Sequence, residues 1–373
     1  MFTRRKISDF IKKEAVFVIA SLCALISMFF VIPDREYIDY INYRVIGLLF
    51  ILMSVVAGFS ELGLFQKISG CLISRVKNVR LMVMMLWMIC FFSSMLITND
   101  VALITFVPLA ITVLTLSDNK EYIIYTLVLQ TIAANLGSML TPMGNPQNLY
   151  LYSYFGVSAG EFFKVTTPVI ILSFVMLLIS SMFVKSSKTE IDIAARNINT
   201  DIKVYVYIVL LGLAVLTVFK IIDYRIVLVI TIISELLFDR GIFKNVDWFL
   251  LLTFVAFFIF IGNIARIDII KNAVINIIWG RELIVSVLSS QVISNVPAAV
   301  MLSSFTDNYR GLILGTNIGG LGTLIASLAS LISFKIYSRQ KDCNIKGYIA
   351  LFTAVNIIFI LILLTVFSFY YTI

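Results

Sequence analysis

Fourteen consecutive residues restrict what this chain can fold into: Asn135-Leu136-Gly137-Ser138-Met139-Leu140-Thr141-Pro142-Met143-Gly144-Asn145-Pro146-Gln147-Asn148. They hold two prolines, two glycines and three asparagines, with apolar sequence of membrane-helix length on both sides. No continuous helix runs through them. Proline removes a backbone donor and clashes with the preceding turn, and glycine frees the chain to leave helical geometry. Unpaired backbone groups are expensive in hydrocarbon, so irregular chain at membrane depth occurs only where protein or a wet cavity covers it. The stretch therefore reads as half of a polar site near the bilayer midplane, and the rest of the chain is expected to supply the other half.

The surrounding composition fixes the class. The chain is 60% hydrophobic and 13% charged, and its mean hydropathy of +1.02 lies far outside the soluble range, which gives an all-α polytopic membrane protein. Long apolar runs without period-two alternation argue against an outer-membrane barrel. Residues 1–373 are expected to form a single membrane transport domain, with no soluble stretch long enough for a nucleotide-binding or catalytic module. The first apolar run, 15–32, follows Arg4, Arg5 and Lys6 without a small-residue cleavage pattern, so it reads as a retained helix. Cys23, Cys71, Cys90 and Cys343 have no metal-type spacing and read as apolar fillers. The absence of histidine removes histidine metal sites and Ser-His chemistry, so neither an enzyme nor a resident cofactor is expected.

Charged breaks divide the chain into helices at about 14–32 and 45–60, then an apolar segment at about 81–117 interrupted at Thr98-Asn99-Asp100. A segment at about 122–158 carries the opening stretch. Helices follow at about 165–184, 204–222, 225–238 and 246–264. A mixed segment, 265–281, with Arg266, Asp268, Lys271 and Arg281 among isoleucines, reads as an interfacial amphipathic helix. Segments at about 282–305, interrupted at Ser294-Asn295-Val296-Pro297, and about 310–338, interrupted at Thr316-Asn317-Ile318-Gly319-Gly320, precede a last helix at about 347–370. Pro108 and Pro168 read as kinks or helix starts. If 81–117 and 282–305 are re-entrant hairpins, the N-terminus is cytoplasmic, the C-terminus is outside, and 20 of the 29 Lys and Arg fall inside. That excess satisfies the positive-inside rule for a plasma (inner) membrane protein, and it accounts for the net charge of +8 without nucleic acid.

This topology splits the chain into an inverted repeat of about nine spanning helices, two re-entrant hairpins and two broken helices. Repeat 1 covers about 14–184 and repeat 2 about 225–370, joined by a linker helix at about 204–222. The polar interruptions match in order. Thr98-Asn99 corresponds to Ser294-Asn295, and Asn135-x-Gly137…Thr141 corresponds to Asn317-x-Gly319…Thr323 at an offset of 182 residues. The Pro- and Asn-rich remainder, up to Asn148, has no counterpart in the second half. Inverted repeats with helix breaks in equivalent places mark secondary transporters, whose site lies where the breaks meet.

Free helix ends and hard oxygen ligands suit small ions. A first sodium-type site is expected from Thr98, Asn99 and Asp100 with Asn135 and Gly137. A second is expected from Ser294 and Asn295 with Thr316, Asn317 and Gly319. Asn99, Thr141, Asn145, Asn295 and Thr323 are candidates to hydrogen-bond a substrate between them. Asp100 is the one acid placed in a break; it reads as a cation ligand or proton carrier, with helix capping as the structural alternative. Glu235 reads as a structural or interfacial acid. No cation sits in either break, so an anion would be held by helix ends, amides and co-bound cations.

This layout resembles the ion transporter superfamily, which includes the divalent-anion/sodium symporters and the arsenite-permease and citrate-transporter branches. Thr98-Asn99 and Ser294-Asn295 look like the Ser-Asn-Thr tips of the divalent-anion symporters, with Asp100 and Val296 departing at the third position. Asn99-Asp100 with Pro108, and Gly144-Asn145-Pro146-Gln147-Asn148, look more like the arsenite-permease branch. The resemblance implies a homodimer that works by elevator-type movement. The sequence thus leads to a secondary transporter of a small anion coupled to Na⁺ or H⁺. The alternatives are a cation/proton antiporter using Asp100 and a passive anion channel.

Overall fold

Helix boundaries in the computed structural model fall where short polar side chains satisfy the free backbone donors of a first turn. Asn42 caps at Val45 (3.1 Å), Asn78 at Leu81 (3.3 Å), Asp247 at Leu250 (2.9 Å) and Asn308 at Gly311 (3.0 Å). The structure describes residues 10, 14–64, 73, 76–188, 202–341 and 343–371. Arg4, Arg5, Lys6 and Cys71, which entered the sequence reading, lie outside the described residues.

The first half consists of α1 (Ala15–Ser27), the short α2 (Glu36–Tyr40), α3 (Tyr43–Glu61), α4 (Val79–Ile97), α5 (Asn99–Leu116), α6 (Ile123–Gly137), α7 (Pro146–Tyr154) and α8 (Ala159–Ser181). After α9 (Ile202–Val218), the second half consists of α10 (Tyr224–Phe238), α11 (Trp248–Ala265), α12 (Asp268–Ile278), α13 (Glu282–Ile293), α14 (Asn295–Ser303), α15 (Tyr309–Ile318), α16 (Leu328–Ser338) and α17 (Ile345–Tyr371). The chain is an all-α polytopic membrane protein.

Among the described residues, seven helices are long and apolar enough to cross a membrane, or eight if α12 and α13, bent by 112°, count as one span. The sequence reading expected about nine. Against that count, α1, α9 and α10 stop at 13, 17 and 15 residues, and the second broken segment is divided into α15 and α16 of 10 and 11 residues. Conversely, both limbs of the first hairpin, α4 and α5, are long enough to span individually. Pro108 and Pro168 lie inside α5 and α8 and start neither helix. The segment read as amphipathic is α12, which exposes Ile269 and Ile277 and buries Ile278.

Packing follows a two-fold pattern. Helix α4 packs on α6 as α13 packs on α15, and α5 lies against α16 as α14 lies against α7. The closing helices exchange in the same way, α17 resting on α6 and α8 on α15. Helix α1 pairs with α11 as α10 pairs with α3. Each half thus completes its core against the other, which brings the four breaks to the centre.

Candidate functional site

The two hairpin tips share one unusual backbone geometry. Thr98 has φ 70° and ψ 152°, and Ser294 has φ 74° and ψ 155°. Residues other than glycine avoid this region, and holding one there costs on the order of 1–3 kcal/mol. The neighbouring helix break over-determines it. In the first half the Asn99 backbone N–H donates to the Gly144 carbonyl at 3.1 Å; in the second, the Asn295 N–H donates to the Ala326 carbonyl at 2.9 Å. Each asparagine then folds its own side-chain oxygen onto the next backbone N–H, that of Asp100 at 3.0 Å and Val296 at 2.9 Å. Each tip is therefore clamped to the break of its own repeat.

The breaks interlock across the pseudo-two-fold. Asn145 donates to the Asn317 side-chain oxygen at 2.9 Å, and Ser327 donates to the Asn135 side-chain oxygen at 3.0 Å. Asn317 in turn donates to Asn148, and Asn135 reaches Ser330 at 3.4 Å. These contacts correct one sequence reading. The residues after Thr141 do have a counterpart, because the offset of 182 carries Gly144, Asn145 and Asn148 onto Ala326, Ser327 and Ser330. Serine replaces asparagine at the last two positions, so the repeat is hidden by residue identity and preserved in bonding role. Extending the offset seven residues past Thr141 and Thr323 would have revealed it.

The structure joins Asn99 to Asn135, Asn99 donating at 3.0 Å, while Asp100 lines the first cavity and Gly137 packs on α4. Gly137 and Gly319 allow the close packing of α4 on α6 and α13 on α15. A Cβ at Gly137 would lie 2.2 Å from the Phe91 carbonyl oxygen, and one at Gly319 2.7 Å from the Ser290 hydroxyl. Thr141 and Thr323 give their hydroxyls to the carbonyls of Met95 and Gln291, in equivalent places. Thr316 donates to Leu312 within its own helix.

One asymmetry separates the two halves. The Gln291 side-chain amide donates to the Gly319 carbonyl at 2.9 Å and the Leu321 carbonyl at 3.0 Å. Its counterpart Met95 has no donor to offer. In the second half an amide N–H already sits among the carbonyls, whereas in the first half no such amide reaches them from Met95 and Asp100 faces the first cavity. Nothing in the Gln291 context marked this from the sequence.

Two cavities reach opposite ends of the same helices. The first, about 670 Å³, is lined by Thr98, Asp100 and Asn145, and by the ends of α3 (Glu61), α11 (Asp247) and α16 (Lys335). The second, about 570 Å³, is lined by the other ends of α3 and α11 and by Tyr150, Tyr154 and Val300. Between them, the Tyr150 hydroxyl bonds Ser303 at 2.7 Å while its ring packs on Phe258 and Phe254, 5.8 and 6.3 Å away. Ser294 and Asn295 are 3% exposed, so the second tip opens to neither cavity. Glu235 lines neither cavity and is 1% exposed, its carboxylate oxygens without a hydrogen bond among the described residues.

The sequence profile of the citrate transporter family matches residues 7–309. The chain belongs to the citrate transporter family. Over 85% of its length it is 32% identical to an uncharacterized transporter of Methanocaldococcus jannaschii, MJ0456, covering 87% of that protein. It is 26% identical to the Escherichia coli inner membrane protein YbiR, over 85% of this chain and 86% of the relative. A shorter match, 33% identical over 33% of this chain, reaches 14% of the low-affinity phosphate transporter PHO90 of Saccharomyces cerevisiae. As a member of the citrate transporter family, the chain is a multi-pass membrane transporter.

Proposed function

We propose that the protein is a secondary active transporter of a small carboxylate or oxyanion, coupled to one cation held at the first hairpin tip. The observation that carries this reading is the clamped pair of tips, of which one presents Asp100 to an open cavity and the other is closed by Gln291. Among the described residues the Asp100 carboxylate makes no ion pair or side-chain hydrogen bond, so it is free to hold Na⁺ or a proton. Citrate and phosphate, named for the family and for one relative, set the class of anion to try first. No catalytic step is assigned to the chain.

In this reading the first cavity is the cytoplasmic entrance, and the structure is the inward-open state of an elevator cycle. Helices α4–α7 and α13–α16 move as one body against a scaffold that includes α3, α10 and α11, in a homodimer within the plasma (inner) membrane. The breaks are bound mainly to each other, which suits a rigid moving body, and re-entrant hairpins keep both tips inside it.

The test is uptake into proteoliposomes of labelled citrate, succinate, phosphate and sulfate, under an imposed Na⁺ or pH gradient. Saturable, cation-dependent uptake of one anion with counterflow is expected. Collapse of a pH gradient on adding Na⁺ with no anion moving would establish the antiporter instead, and flux that never saturates would establish a channel.

The packing of Tyr150 on Phe254 and Phe258 of α11 joins the moving body to the scaffold and makes a second prediction. Tyr150→Leu removes an aromatic contact worth about 0.5–1.5 kcal/mol. Opening of the second cavity should become roughly fivefold more populated. A cysteine replacing the buried Val300, in a variant whose native cysteines are serine, should then be alkylated several times faster. Unchanged labelling would remove Tyr150 as a latch.

A further inference from the structure

We infer that the second cavity is an anion-collecting vestibule in which Arg44 and Arg225, backed by Lys220, gather a small carboxylate or oxyanion before it reaches the breaks. The inference rests on the anion-transport reading above and adds a site to it. The cavity is lined by Arg44 and Arg225 with Asp39 as its acid among the described residues. Arg44, at the start of α3, makes one long contact to the Thr217 carbonyl, at 3.4 Å, and its Nε is buried without a partner. Lys220 lies over the Tyr152 ring, 5.2 Å from its centroid. Burial, and then the like charge of Arg44, lowers the lysine's affinity for its proton. Asp223 spends its carboxylate on the Arg225 backbone N–H at 2.8 Å. Among the described residues none of the three cations forms an ion pair.

Like charges held together beside an unpaired guanidinium N–H are unfavourable until an anion joins them; oxyanions and carboxylates match that donor geometry. The position is also right. Helices α7 and α14, nine residues or about 13 Å long, start at the breaks and end at this cavity. The first cavity has the opposite character: Glu14, Glu61, Asp100 and Asp247 line it against Lys335. A field of that polarity draws anions toward one end of the bundle and cations toward the other.

The test is initial uptake of labelled citrate and phosphate by wild type, Arg44→Gln, Arg225→Gln, the double variant and Arg44→Lys, in phosphatidylcholine vesicles. The double variant should raise KM about tenfold at low salt with kcat nearly unchanged. Arg44→Lys should restore most of the loss. The effect should fade near 1 M salt, where charges are screened within about 3 Å. A KM equal to wild type in the double variant would overturn the vestibule while leaving anion transport standing. So would a defect that appears only when phosphatidylglycerol is present, because the cations would then be holding a lipid headgroup. If wild type moves neither anion, the transport reading fails and the vestibule is judged by binding. Thermal stabilisation by citrate or phosphate that Arg44→Gln abolishes would support it, and none would reject it.

Discussion

Asp100→Asn is expected to yield a folded protein whose anion uptake no longer responds to Na⁺ or pH, with the coupled rate reduced about a hundredfold. Removing one partner of a desolvated charge pair typically costs about 2–5 kcal/mol, and each tenfold corresponds to about 1.4 kcal/mol. Loss of the acid from the first turn of α5 costs the fold much less, about 0.3–1 kcal/mol through the helix dipole. The protein contains its own control for that estimate. Val296 occupies the equivalent place in α14, after a residue with the same backbone angles as Thr98, and α14 begins without any acid. The variant should therefore melt within a few degrees of wild type while failing to couple. Uptake measured against Na⁺ and pH gradients, with thermal unfolding of the same preparation, checks both halves of the statement. Wild-type coupling in Asp100→Asn would move the cation elsewhere, and a collapsed fold would make Asp100 a cap.

How much could be read from the sequence depended on whether a residue broke a rule on its own. Prolines, glycines and asparagines inside apolar sequence have no place in a lipid-facing helix, so all four interruptions were legible, and each coincides with a helix end in the structure. The pairing of Thr98 with Ser294 and Asn135 with Asn317 was legible for the same reason. Roles that depend on a partner were not. Ser327 and Ser330 are ordinary residues in an apolar stretch, and only their bonds to Asn135 show that they repeat Asn145 and Asn148. Gln291 is a polar residue on a short helix until its amide is seen between two carbonyls of the break. Thr141 and Thr323 were read for their hydroxyls, which the structure gives to Met95 and Gln291 of the hairpins. Helix lengths were overestimated at α1 because apolar composition continues past Ser27, whereas the helix stops before the turn that leads to Pro33. Past Ser27 the N–H groups of Phe29 and Phe30 bond three residues back, and Pro33 restricts Ile32 to extended geometry, so the apolar run ends in turns.

Asn135→Ala should be the most damaging single truncation at the breaks, lowering stability by about 3–5 kcal/mol and abolishing transport. The side chain is 3% exposed, and its oxygen accepts from the Asn99 amide and the Ser327 hydroxyl, both at 3.0 Å. Its amide reaches the Gly320 carbonyl and Ser330, each at 3.4 Å. Truncation removes the acceptor of two buried donors at once, and each buried polar group left unpaired costs about 1–3 kcal/mol. The pseudo-symmetric change, Asn317→Ala, should cost less. When the Asn317 oxygen is lost, Asn145 keeps a second acceptor in the Ser138 hydroxyl at 3.1 Å. The order Asn135→Ala worse than Asn317→Ala is therefore set by second partners, even though the two residues are equivalent in the repeat. Thr323→Val, at an exposed hydroxyl with one bond, belongs well below both. Thermal unfolding of the three variants in one detergent tests the order. A double-mutant cycle of Asn135→Ala with Ser327→Ala should return a coupling near 1 kcal/mol, because both changes act on one hydrogen bond. Additive losses would mean that the breaks are not joined through Asn135. The lock between the breaks would then lie in the bonds that join Asn317 to Asn145 and Asn148.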